Sequence, residues 1–498
     1  MIVTDSDLEL LVRMRGKDIR VLDINACSGF STDGLLKVST NCCNLRTLCL
    51  QKSEIVDKNG EWLHELALRS TSLESLNYCD TSINKCDMKD IVSLAKNCSD
   101  TLISLKLKDC DCSDIMSVFR YAVKLKEFGG APFYNPSTGT FITFHSKVRN
   151  MAFANMSRFV TSAVLGCIIL GFAQQLTELD LRCAMLTEDD YRLLLCKCRN
   201  LEVLYAKDTI GDSGLQDLGK FCKKLRRVKI LRGSSEDGVV TQLGLIALAR
   251  GCVKIECLHA YLKDITNEAL ECIGSNLKNL YDFRVTSVDT HEKMTDLPLD
   301  NGVQALLKGC TKLEKLGIYI RNPVPLTYVG LWSIGKFGQN LRSLMLGYLD
   351  VSNYGLLQLS RGCPKLQKFE VRGCYFSEEA ISMLAWNLRS LRYMWTQSYR
   401  VGDSNFETEK DFSASKGDIF GGDGNIKNMF RPNWHVELIR PEVDVDNELA
   451  DSTQLRPFSL LAYYSLVGQR MDLPERVIRL HPQLDDYNID YDDDGVDD

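Results

Sequence analysis

Apolar residues recur along this chain in one short pattern: an anchor, two variable positions, a second anchor, one variable position, a third anchor. It is clear at Ile19-Leu22-Ile24, Leu45-Leu48-Leu50, Leu73-Leu76-Tyr78 and Leu102-Leu105-Leu107. It is weaker at Leu125-Phe128 and Val148-Met151-Phe153, then clear again from Leu176-Leu179-Leu181 to Leu391-Met394-Thr396. Most steps between units are 23 to 30 residues, the period of leucine-rich repeats. A second marker keeps the register. Cys42, Cys198, Cys222, Cys252, Cys310 and Cys363 each lie three residues before the next unit's first anchor. Each closes a segment such as GLIALARGC (244–252), whose apolar residues have helical spacing. Turn signals such as Gly211-Asp212-Ser213-Gly214 precede these segments.

The expected fold is α/β. It is a leucine-rich-repeat solenoid, or horseshoe, with parallel strands on the concave face and helices on the convex face. One unit cannot bury its apolar face alone, so neighbours must stack. Residues 1–18 predict a partial N-terminal cap and 19–400 the repeats. Gly- and Pro-rich Phe128 to Lys147 predicts a loop, and 401–430 a flexible insertion. Residues 431–484 predict a C-terminal repeat and cap, and 485–498 an acidic disordered tail.

Composition narrows the function classes. A formal net charge of -6 argues against a nucleic-acid partner. No apolar run reaches the ~18 residues of a spanning helix, and the acidic start MIVTDSDLEL carries no secretory pattern. Twenty cysteines could mean disulfides, but their fixed place in the repeat predicts small buried thiols in a reducing compartment. No paired C-x-x-C has zinc spacing, so no metal is expected. No nucleophile–base constellation or phosphate-binding glycine loop is present, so no catalytic centre is expected.

Binding is expected where strand positions between the anchors face outward. Those positions hold ten basic residues, among them Lys106, Arg182, Arg227, Lys229, Arg284, Lys368 and Arg372, against six acids. Tyr205, Tyr261, Tyr319, Tyr393 and Trp395 accompany them. Arginine with aromatics is a common composition at binding centres and suits phosphate or carboxylate ligands.

Several segments resemble a known family. CSGFSTDGLL (27–36), EWLHELA (61–67), MTDLPLDNGV (294–303), SRGCPKLQKFEVRGCYFSEEAI (360–381), LRYMWTQSYR (391–400), RPNWHVELI (431–439) and AYYSLVGQR (462–470) look like the plant coronatine-insensitive jasmonate receptors. These are F-box leucine-rich-repeat proteins; the auxin-receptor branch is the next in likeness. The resemblance implies a substrate-recognition subunit of an SCF-type ubiquitin ligase, without bond chemistry of its own, in nucleus and cytoplasm. Jasmonoyl-isoleucine would bind the strand face and complete a surface for jasmonate-ZIM-domain repressors, above a structural inositol phosphate. By motif, Arg284, Tyr319, Arg342, Tyr375, Trp395 and Arg440 would bind the hormone. Arg182, Arg227, Lys229, Tyr261, Arg321 and Arg372 would face the inositol phosphate or partner. Arg284 and Arg342 are expected to project into one anionic site with Tyr319 between them. The family opens with an F-box, whereas this sequence opens on its repeats. A Skp-type adaptor and cullin are thus expected partners only where an F-box precedes these residues. The alternatives are a repeat scaffold or decoy outside the ligase, or an auxin-receptor-like hormone binder.

Overall fold

The computed structural model describes residues 2–397 apart from 59–60, 84–86, 109–111, 131–133, 136–139, 142–146, 154–172, 234–238, 288–297, 321–324, 350–352, 373, 375 and 377; beyond 397 it describes residues 434–439, 460–465 and 476–479. The expected insertion and tail lie outside the described residues. The chain divides into two compact units, Met1–Ile255 and Glu256–Asp498.

In the first unit nine short strands pair in chain order: β1 Val21–Asp23, β2 Thr47–Cys49, β3 Ser75–Asn77, β4 Ser104–Lys106, β5 Glu127–Gly130, β6 Asn150–Phe153, β7 Glu178–Asp180, β8 Val203–Lys207 and β9 Arg227–Leu231. Every pairing is parallel, and the register sets second anchor against second anchor, from Leu22↔Leu48 to Leu204↔Val228. Those anchors are buried. Full burial of one such side chain stabilises by about 1.5–3 kcal/mol, so a slip that turned the anchors outward would be very costly. The weakly patterned units at Phe128 and Met151 keep the same register. The predicted loop from Phe128 begins inside β5, and within it Tyr134–Asn135 pairs antiparallel with Thr140–Phe141.

Helices return the chain between strands, as at Thr32–Asn41, Gly211–Phe221 and Gln242–Gly251. The Thr241 hydroxyl accepts from the Leu243 N–H and so caps its own helix. Its own N–H and hydroxyl are held by Asp212 of the preceding helix. Asp5 holds Ser31 in the same way. In these repeats the first turn of one helix satisfies donors of the next, which links them.

The repeat cysteines do the same at the helix C-termini. Cys222 and Cys252 are C-caps, and their thiols reach the last carbonyls of the repeat before: Cys222 Sγ is 3.3 Å from the Cys198 oxygen, and Cys252 Sγ is 3.4 Å from the Cys222 oxygen. A thiol is small enough to bury and still a weak donor for orphan carbonyls. Burial pushes the Cys198 and Cys252 thiols up to about 12, so they stay protonated. The cysteines whose side chains are described are free thiols. Glycines let adjacent helices touch: a Cβ on Gly251 would lie 2.2 Å from the Gly219 oxygen.

The second unit repeats this plan with β10 Cys257–Tyr261, β11 Asp282–Ser287, β12 Lys315–Ile320, β13 Ser343–Gly347, β14 Lys368–Arg372 and β15 Tyr393–Gln397, again parallel and in chain order. Cys310 and Cys363 donate to Leu277 and Ile334 carbonyls. Within the expected C-terminal repeat and cap the described residues form three antiparallel strands, β16 Trp434–Ile439, β17 Leu460–Ser465 and β18 Arg476–Arg479. No described helix is long and apolar enough to cross a membrane.

Candidate ligand site on the strand face

Alternation along β10–β15 puts the anchors into the core and the intervening residues on the other face. The pairing then aligns these residues in rows across the strands. One row runs His259, Arg284, Gly317, Met345, Glu370, Trp395; the next runs Tyr261, Thr286, Tyr319, Gly347, Arg372, Gln397.

Arg372 is the centre of the strongest cluster. Its guanidinium carbon lies 5.5 Å from the Tyr319 ring centroid and 4.8 Å from that of Trp395. Gly347 makes this possible. It sits in the row between Tyr319 and Arg372, and a Cβ there would come 2.5 Å from Tyr319 Cδ1. The bare backbone lets ring and guanidinium meet above it. Gly317 makes similar room in the neighbouring row, where a Cβ would lie 3.1 Å from Arg284 Cγ. Glu370, two residues before it on the same strand, is held by Lys368 at 2.6 Å. Among the described residues the Arg372 guanidinium has no carboxylate partner and remains exposed. Burial, with Glu370 adding to it, pushes the Tyr319 phenol up to about 12 against Arg372 and Arg284. Tyr319 therefore offers a neutral O–H donor at the foot of a cation, as a carboxylate ligand would require.

The other expected residues fall into three groups. Arg284 is on this face, but Asp282 holds it through Nε–Oδ1 at 2.9 Å and Nη2–Oδ2 at 3.2 Å. Burial would raise the Asp282 carboxyl; hydrogen bonds from His259 and Arg284 overcome this and hold it low. Arg342 is exposed in the turn before β13, with its own acid, Glu314, at 3.7 Å. Arg284 is level with Met345, three residues further on, so about 10 Å of strand separates the two arginines along the sheet. The expected convergence on one group is not how they stand: each is held by a separate acid. Arg321, Tyr375 and Arg440 lie outside the described residues.

The second expected set divides between the units. Tyr261 and Arg372 are in the second. In the first, Arg182 chelates Asp180 through contacts of 2.9 and 2.6 Å. Its guanidinium also sits 4.9 Å from the Tyr205 ring centroid, with Lys229 Nζ at 5.6 Å. Arg227 is exposed at the start of β9. The ten-to-six basic excess is therefore partly spent inside the face. Lys106, Arg182, Arg284 and Lys368 are paired with Glu127, Asp180, Asp282 and Glu370. Three of these pairs lie two residues apart along one strand, where alternation already sets acid beside cation; only Lys106–Glu127 crosses between strands.

A run of parallel strands backed by capped helices, with a cation and aromatics set out on the strand face, defines a leucine-rich-repeat protein built to bind. No family model matches the chain. It is 42% identical over 491 residues to coronatine-insensitive protein 1 of Arabidopsis thaliana, covering 96% of this chain and 78% of that protein. It is 41% identical over 494 residues to coronatine-insensitive protein homolog 1a of Oryza sativa subsp. indica, covering 97% and 79%. GRR1-like protein 1 of Arabidopsis thaliana follows at 30% over 503 residues, covering 97% and 79%. The chain belongs to the coronatine-insensitive protein family.

Proposed function

We propose that this chain is the receptor subunit of an SCF-type ubiquitin ligase in nucleus and cytoplasm. It binds jasmonoyl-isoleucine on the strand face of its second unit and thereby recruits jasmonate-ZIM-domain repressors for ubiquitination. The observation that carries this reading is Arg372, stacked against Tyr319 and Trp395 without a carboxylate partner among the described residues. A carboxylate ligand supplies the missing partner, and its apolar portion packs on the rings. Arg284 keeps the outer edge of its guanidinium for a second contact while Asp282 holds the inner edge. Arg342, Tyr375 and Arg440 would contribute where the ligand or repressor reaches them.

An inositol phosphate fits the first unit's cluster. Lys229 lies against the Tyr205 ring, which it shares with Arg182, whose inner edge Asp180 holds. Lys229 and the free edge of Arg182 would hold it, with Arg227 beside them; when bound it neutralises the cations and stiffens the face.

The test is hormone-dependent capture of a repressor by the full chain, with a Skp-type adaptor present. Capture that needs jasmonoyl-isoleucine and falls in Arg372→Ala supports the receptor reading. Capture indifferent to both defeats it. Hormone binding without adaptor association favours the scaffold reading, and response to an auxin alone favours the auxin-receptor branch.

A further inference from the structure

The face of the second unit also gathers three metal-ligating side chains that no linear motif announces. Cys257 and His259 alternate on β10, so both project to one side. Asp282 on β11 is the register partner of Cys257. Cys257 Sγ lies 3.5 Å from His259 Nε2. That nitrogen lies 3.0 Å from Asp282 Oδ1. The three donor atoms all fall within 4.8 Å of one another. Cys257 and Asp282 are buried and His259 is half-buried, with 18% of its side chain exposed.

We propose that Cys257, His259 and Asp282 form a binding site for a zinc-class divalent metal, with a fourth position open to an outside ligand. The two separations at the His259 nitrogen fit. Bonds of about 2.3 Å to sulfur and about 2.0 Å to nitrogen, at a tetrahedral angle, set S and N about 3.5 Å apart. The same geometry sets N and O about 3.3–3.4 Å apart, an opening of a few tenths of an ångström from the present contact. A metal would serve all three donors at once.

The surroundings support the ligands. Arg284 shares Oδ1 through Nε but also holds Oδ2 through Nη2. It can keep the second oxygen while the first turns to the metal, an outer contact of the kind that orients a ligating carboxylate. The Cys257 thiol releases its proton to solvent on binding, so occupancy rises with pH. The site is independent of the hormone reading, because metal binding needs neither hormone nor repressor.

The test uses the full chain, reduced, stripped with a chelator and titrated with Co²⁺. The expected result is one equivalent bound, with a thiolate-to-cobalt charge-transfer band and the strong visible bands of tetrahedral cobalt, displaced by Zn²⁺. Cys257→Ser should abolish the charge-transfer band. His259→Gln should weaken binding at least tenfold. Cys43→Ser, which removes an exposed thiol elsewhere, should change neither. Zn²⁺ should raise the melting temperature of the parent and leave that of Cys257→Ser unmoved. A parent without the band overturns the proposal whatever the variants do. So does a band that survives in both folded ligand variants, since the thiolate would then belong to another cysteine.

Discussion

Two stretches of strand face, one in each unit, use the same residue types to different ends. In the first unit Lys106 meets Glu127 at 2.6 Å, Ser104 donates to the same acid, and Arg182 chelates Asp180. These two cations are answered from within, while Lys229 lies against the Tyr205 ring. In the second unit Arg284 and Lys368 are answered too, but Arg372 stacks on two rings and no acid among the described residues reaches it. A charge with an internal partner mainly holds the face together; a charge offered only π-faces is available to a ligand. Counting basic residues could not separate these roles, whereas pairing does.

The sharpest way to break the comparison is to remove Arg372. Arg372→Ala should lower hormone-dependent repressor capture by about tenfold to a hundredfold, since a charge-assisted hydrogen bond is worth about 1.5–3 kcal/mol. Its melting temperature should stay near the parent's. Arg372→Lys should recover only some of the capture, lacking the planar fork. Equal capture by the parent and the alanine variant would erase the distinction between the two faces.

Gly347→Ala tests the same cluster through the backbone. The new methyl collides with the Tyr319 ring, so capture should fall several-fold and Tyr319 should become more exposed to solvent, as read by its fluorescence or ultraviolet difference spectrum.

Lys106→Met should do the opposite of Arg372→Ala. It leaves Glu127 beside Glu178 without a cation, and stability should fall by about 1–3 kcal/mol, less than for a fully buried pair because both partners keep some solvent. Denaturant melts measure this, and repressor capture should not change beyond the loss of folded protein.

The smallest effect is a pH dependence confined to the first unit. Burial, then Glu127, raises the Glu178 carboxyl above its ordinary 4.5. The folded state therefore binds that proton more tightly than the unfolded state. The stability this lends is present below 4.5 and is lost as pH rises through the folded value. Glu178→Gln removes the loss, so its stability relative to the parent should be higher at neutral pH than in acid. A constant difference across that range would show the acid to be well solvated.

The thiols behave alike in both units and act as a control. Cys222, Cys252, Cys310 and Cys363 should resist labelling until the protein is denatured, while Cys43 reacts at once. Early labelling of any of the four would mean that its repeat opens locally.

Much of this was legible along the chain. The anchors, their period, the strand–turn–helix order and the burial of the repeat cysteines follow from local spacing, because a side chain's face in a strand or helix is set by its neighbours a few residues away. That Arg284, Tyr319, Arg372 and Trp395 share a face follows from the same alternation. The antiparallel strands within 434–479 were not legible, since the repeat period that marks the other strands does not extend to them.

What only the tertiary structure decided is partnership across strands. Register sets Asp282 beside Cys257, and Gly347 between Tyr319 and Arg372. These partners come from separate repeats, and a one-residue slip would undo every such meeting. The sequence by itself determined the residues that turn outward, because that depends on a period of two along one strand. The i, i+2 pairs Asp180–Arg182, Asp282–Arg284 and Lys368–Glu370 follow from the same period, whereas Lys106–Glu127, the Cys257–His259–Asp282 cluster and the stack of Tyr319, Arg372 and Trp395 depend on how separate repeats align, and stacked burial of the anchors fixes that alignment.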